Sequence, residues 1–90
     1  MKKEELKTEL KKNIIKYLNL LEMKPEDIGD NQILFDGSMG LDSIDAFELI
    51  VMLEREYQVK ITDPREARKI LIDVETIADY VIANQPKSTA

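Results

Sequence analysis

From about residue 3 to residue 22, apolar side chains recur at helical spacing: Leu6, Leu10, Ile14, Tyr17, Leu18 and Leu21. Residues three and four apart share one face of a helix, so the spacing predicts a long amphipathic helix. Lys and Glu fill the other face, and Glu4 and Glu5 fall in the first turn, where the helix dipole favours acids. A run of lysines (Lys2, Lys3, Lys7, Lys11, Lys12, Lys16) admits a membrane-surface helix. The intervening acids favour a solvated outer face instead.

Met23 to Asp27 stops this helix, and Pro25 is placed to start a short turn carrying Ile28. Residues 29–40 read as a long loop, with Gly29, Gly37 and Gly40 among Asp30, Asn31, Asp36 and Ser38. A loop of this length in a small domain needs an anchor or a function. Ile33, Phe35 or both are expected to insert into the core as pegs. A strand over residues 33–35 is the competing reading, but a lone strand has no partner.

Asp42 and Ser43 are both good N-cap residues for a helix that runs to about Tyr57. Val59 and Ile61 then alternate with polar residues in an extended connector. Asp63, Pro64 and Glu66 give a cap, a first helical residue and a capping-box acid for a short third helix. It is expected to end at Lys69 or Ile70, with Ala67 and Ile70 inward. Asp73 caps a last helix over about 74–83, with Val74, Ile77, Ala78, Val81 and Tyr80 on one side. Asn84, Gln85 and Pro86 end it. The sum is an all-α four-helix bundle with a long first loop and a short third helix, one domain over 1–85 with a flexible tail at 86–90.

The helix after Ser43 is apolar on more than one side. At about 100° per residue, Ala46, Leu49, Ile50, Leu53 and Tyr57 form a wide stripe that is the natural core face. Ile44, Phe47 and Val51 form a second stripe, and Met52 lies among the polar positions. A chain of 90 residues cannot wrap such a helix completely, so the second stripe is either offered to an outside partner or covered by the long loop.

Composition removes much of the remaining chemistry. There is no Cys and no His, which excludes disulfides, a Ser-His-Asp triad and a His- or Cys-ligated zinc site. Hydrophobic residues at 43% and charged residues at 34% fit a globular domain. A net charge of -5 and a pI near 4.7 disfavour nucleic acid and favour basic protein surfaces. No stretch approaches the ~18 to 20 apolar residues of a membrane span, and no signal peptide follows Met1. A cytoplasmic monomer is expected. Residues 36–45 lack the ligand order of a calcium-binding hand.

Ser43 stands at the helix start, and on spacing alone it reads as a cap. The run Asp42-Ser43-Ile44-Asp45-Ala46-Phe47-Glu48-Leu49 resembles the phosphopantetheine attachment motif of acyl carrier proteins, Asp-Ser-Leu-Asp-x-x-Glu-Leu, with Ile for Leu. The similarity continues through residues 51–57, Val59-Lys60-Ile61, residues 63–69 and the helix from Val74 to Val81, nearly the whole chain. It implies that Ser43, with Asp42 beside it, receives 4′-phosphopantetheine from coenzyme A through a magnesium-dependent phosphopantetheinyl transferase. Acyl groups would ride on the arm's thiol and slip between helices, with Leu49, Leu53, Ile70, Ile77 and Tyr80 as candidates for the lining. The carrier itself would catalyse nothing. Loading, condensing and transferring enzymes with basic rims would be steered by Asp42, Asp45, Glu48 and Glu54 and would touch Ile44, Phe47 and Val51.

Three departures from common fatty-acid carriers stand out: Arg55 in place of an acid, a bulky Phe47, and the Lys-rich first helix. They point to a carrier dedicated to a polyketide, modified lipid or other special product. The start at Met1 and the short tail lead us to expect a discrete bacterial-type protein, with a domain of a larger synthase as the alternative. An aminoacyl or peptidyl carrier and an unmodified acidic interaction module are the alternatives. The first of these more often has Gly-Gly-His/Asp-Ser-Leu where this chain has Met39-Gly40-Leu41-Asp42-Ser43.

Overall fold

A computed structural model of the chain describes residues 2–37 and 40–84. Four α-helices occur in order: α1 (Lys3–Leu18), α2 (Ser43–Tyr57), α3 (Pro64–Ile70) and α4 (Val74–Asn84). A single 3-10 turn at Pro25–Asp27 precedes the long loop, and Ile28 after it is fully buried. Among the described residues there is no strand, so residues 33–35 do not form one. The expected ends at Gln85 and Pro86, and the tail at 86–90, lie outside the described residues.

α1 packs against both α2 and α4, and α3 rests on α4. The shared core is built from Leu6, Leu10 and Ile14 of α1, Leu49, Met52 and Leu53 of α2, and Val74, Ile77, Ala78 and Val81 of α4. Met52 corrects the expected face of α2. It is fully buried, whereas Ala46 and Ile50 are only partly so. The inward face of a helix is set by where its neighbours lie. Here α1 covers the Leu49–Met52–Leu53 side, and the flexible Met side chain fills the space. Tyr57 is also buried, and its hydroxyl accepts a hydrogen bond from Asn13 Nδ2 at 2.9 Å. Burial pushes its phenol up from the ordinary value.

α1 ends one turn earlier than its apolar pattern suggests. Asn19 turns left-handed (φ 56°), and its N–H donates to the Ile15 carbonyl. Asn tolerates that conformation better than most residues, which makes it a helix stop. Leu21 therefore leaves the apolar face and is 82% exposed.

The lysines of α1 also depart from expectation. Lys3, Lys7 and Lys11 do not form a solvated outer face. Lys7 is buried, and its ammonium lies 2.9 Å from Asp30, 3.1 Å from Glu4 and 3.2 Å from Glu75. Lys11 reaches Asp30 at 2.6 Å, while Lys3 pairs with Glu75 and, at 2.7 Å, with Asp79. These pairs staple α1 to the loop and to α4. The hydrogen bond to Asp30, helped by that to Glu4, raises the Lys7 ammonium above its ordinary value. Lys11 and Lys7 hold the Asp30 carboxyl below its own, and Lys3 and Lys7 do the same for Glu75.

The loop is anchored by neither of the expected pegs alone. Leu34 is the buried residue, Ile33 is 42% exposed and Phe35 is partly buried. Two backbone bonds decide this. Leu34 N–H donates to the Ile72 carbonyl and Glu75 N–H donates to the Asp30 carbonyl, both at 2.9 Å. They hold residue 34 against the core, and its neighbours turn away.

The third and fourth helices start on aspartates. Asp63 accepts from Arg65 N–H at 2.9 Å with Pro64 at the first position, and Asp73 accepts from Thr76 N–H at 2.7 Å. The expected capping box at α3 does not close. The Glu66 carboxylate instead accepts the Tyr80 hydroxyl at 2.7 Å, joining α3 to α4. Ala67 and Ile70 face inward as expected.

Candidate functional site

Gly40 has a positive φ of 68°, which favours a residue without Cβ, and its N–H turns back to the Gly37 carbonyl at 3.3 Å. Leu41 follows, partly buried, and fixes the approach to α2. Asp42 is then the N-cap. Its Oδ1 accepts from Ile44 N–H at 3.0 Å and Asp45 N–H at 3.1 Å. Asp45 Oδ2 accepts in return from Asp42 N–H at 3.0 Å, so this capping box is complete.

The cap sharpens the position of Ser43. Of the two candidate caps, Asp42 takes the role, because a carboxylate can accept two amides at once. Ser43 becomes the first helical residue. It is exposed, and its hydroxyl makes no hydrogen bond to any described residue. The amides of Ile44 and Asp45 are consumed by Asp42, so they are not free to receive a phosphate. Ser43 is held in place by its neighbours and is itself uncommitted.

Beside Ser43 the second stripe of α2 is open. Ile44 is 71% exposed and Phe47 is 62% exposed, while Val51 is partly buried. The described residues of the long loop leave Ile44 and Phe47 uncovered. Asp45 and Glu48 are partly exposed and Glu54 is exposed, with Lys60 at 3.9 Å from Glu54. The structure thus gathers Asp42, Asp45, Glu48, Ile44 and Phe47 around the serine, with Val51 and Glu54 further along the helix.

Next to Ser43 and to Phe47 of this stripe, a groove of about 730 Å³ opens between α2 and α3. Ala46, Phe47 and Ile50 form one wall, and Pro64, Ala67 and Arg68 form the other. Phe35, Leu41, Ile61 and Leu71 close it below, and Asp42 and Ser43 stand at its edge. None of the expected lining residues Leu49, Leu53, Ile70, Ile77 and Tyr80 borders it. Leu49, Leu53 and Ile77 are fully buried in the packed core, and Tyr80 is tied to Glu66. The space lies between α2 and α3 because those two helices barely meet. The signal that was present, small Ala46 and Ala67 on facing helices, has meaning only once the helices are placed.

The bundle thus presents Ser43 bare at a helix start, at the edge of an apolar groove. Residues 14–66 match the family model described as a phosphopantetheine attachment site. The match covers more than half of the chain, from the second half of α1 into α3, and the chain belongs to that family of phosphopantetheine-binding carriers. Its cofactor is covalently attached 4′-phosphopantetheine, which supplies a thiol to a chain that has no Cys. A carrier domain of this kind implies a phosphopantetheinyl transferase and partner enzymes. Among the described residues no helix is long and apolar enough to cross a membrane.

Proposed function

We propose that Ser43 is the attachment residue and that the chain is an acyl carrier. It holds acyl intermediates as thioesters and presents them to loading, condensing and transferring enzymes. The observation that carries this reading is the geometry of Ser43: an exposed hydroxyl, free of the cap, at the edge of an apolar groove of about 730 Å³. Attachment leaves the fold untouched, because Asp42 and not Ser43 caps α2. The apolar walls favour an acyl chain over an aminoacyl or peptidyl load, since burying apolar surface contributes roughly 25 cal/mol per Å².

Partners dock on the open side of α2. Ile44, Phe47 and Val51 make the apolar contact, and Asp42, Asp45, Glu48 and Glu54 steer basic rims toward it. Exposed charge pairs contribute only ~0 to 1 kcal/mol each, so docking is brief, as a shuttle requires. The chain holds and presents while its partners do the chemistry. Phe47 and Arg55 are both exposed, so a partner must accommodate a ring and a cation where common fatty-acid carriers offer less. This supports a specialised product.

The test is incubation with coenzyme A, Mg²⁺ and a broad phosphopantetheinyl transferase, read by intact mass. A mass gain of one arm is expected, absent in Ser43→Ala. No gain, or a gain that survives the substitution, overturns the reading. Preferential loading by amino-acid-activating enzymes moves it to an aminoacyl carrier.

A further inference from the structure

The groove beside Ser43 has apolar walls but three charged residues at its border: Asp42, Asp63 and Arg68. The two carboxylates are committed. Asp42 caps α2 through two amides, and Asp63 caps α3 through Arg65 N–H. Arg68 is not committed. It is exposed, and it makes no hydrogen bond or ion pair to any described residue. One turn earlier on the same helix stands another cation, Arg65, which lies 3.8 Å from Asp63 and offers Arg68 no partner. The arrangement is one unspent guanidinium on the wall of an apolar trough, with a hydroxyl from Thr62 also at the border.

We propose that Arg68 sets a polar specificity in this groove by pairing with an oxyanion on the group carried at Ser43. This rests on the carrier reading above and deepens it. A guanidinium offers two parallel N–H donors matched to a carboxylate or phosphate, and beside apolar walls that pairing is less screened than in open water. Two oxyanions are within the chemistry of the load: the phosphodiester at the root of the arm and a carboxylate at the far end of an acyl chain. At the Ser43 end, Asp42 has taken the amides of Ile44 and Asp45, so two of the first-turn N–H groups are not open to the phosphodiester. Among the described residues Arg68 is the one cation that borders the groove, so an oxyanion of the load finds its counter-charge there.

A simpler role for Arg68 is to complement the dipole at the end of α3, where Lys69 stands beside it. Lys69 does not border the groove, so Lys69→Gln removes the same helix-end charge without touching the site. The full chain, its Arg68→Gln and Arg68→Lys variants and Lys69→Gln are each loaded with hexanoyl or adipoyl phosphopantetheine, which differ in a terminal methyl against a carboxylate. Hydroxylamine cleavage of the thioester is timed, and the phosphorus NMR signal of the unacylated arm is recorded.

If the carboxylate is the partner, the adipoyl thioester is cleaved about threefold faster in Arg68→Gln than in the native chain. In that case Arg68→Lys recovers part of the protection, and hexanoyl rates stay level throughout. If the phosphodiester is the partner, its signal shifts in Arg68→Gln and stays put in Lys69→Gln. Equal behaviour of Arg68→Gln and Lys69→Gln in both measurements overturns the inference and leaves the carrier reading intact. Failure of any arm to attach at Ser43 overturns the carrier reading, and this inference falls with it.

Discussion

The two sides of this bundle are built on opposite principles. On the α1–α4 side, three lysines bridge to Asp30, Glu75 and Asp79, and the apolar residues beneath are fully buried. On the α2–α3 side the helices stand apart, a groove runs between them, and Ile44 and Phe47 face outward. The first side spends its polar groups on internal partners: among the described residues no buried side-chain polar atom lacks one. The second side leaves Ser43 and Arg68 unspent. Groups already paired inside a protein are not available to anything else, so function concentrates where the packing stops.

The largest test of that contrast is a pair of truncations in α2. Leu53→Ala, on the buried face, is expected to cost about 2–5 kcal/mol in denaturant unfolding. Phe47→Ala, six residues earlier on the open face, is expected to stay within about 0.5 kcal/mol while weakening capture by partner enzymes. Equal losses from both would mean that the open stripe is part of the core.

The ionic staple is next, and it should make one side sensitive to acid. Asp30 and Glu75 lie below their ordinary values of 3.8 and 4.5 in the folded chain. Their contribution is therefore complete above those values and is lost as pH falls through the folded ones. Lys7 is raised from 10.5, so its share is complete below that value and fades only in strong base. Thermal unfolding of the native chain should drop steeply below pH 4.5, and Lys7→Met should flatten that slope. An unchanged slope would remove the staple from the stability of the fold.

Smaller still is the cap. Asp42→Ala removes the acceptor for two amides and should cost about 1 kcal/mol, whereas Ser43→Ala should cost less than about 0.5 kcal/mol. A reversed order would return the cap to the serine. The smallest equilibrium effect belongs to Glu48→Lys on the docking face. It should slow association with a basic partner several-fold at low salt, with little change near 0.5 M salt, as stopped-flow mixing can show.

Much of the fold was legible in the pattern. The starts at Asp63 and Asp73 were readable because capping is local chemistry, decided within three or four residues, whereas at α2 the pattern offered both Asp42 and Ser43 and read Ser43 as a cap. The bounds of α2 and the inward turn of Ala67, Ile70, Val74, Ile77 and Val81 were readable for the same reason, as was the motif around Ser43. What failed was long-range. Leu21 looked apolar and periodic, but Asn19 had already ended α1. Met52 looked like a surface position until α1 was laid over it. Leu34, between two residues that seemed better pegs, was selected by a backbone bond to Ile72, thirty-eight residues away.

The sequence by itself determined four helices, the aspartate caps of the last two, the absence of Cys and His, and a serine in a carrier motif. Those are properties of neighbours along the chain and of composition. Only the tertiary structure decided which cap Ser43 would be spared, where the groove would open, and which charges would be left over for a load. Such properties depend on what is already paired, and pairing across the bundle is settled by packing between residues that are distant in sequence.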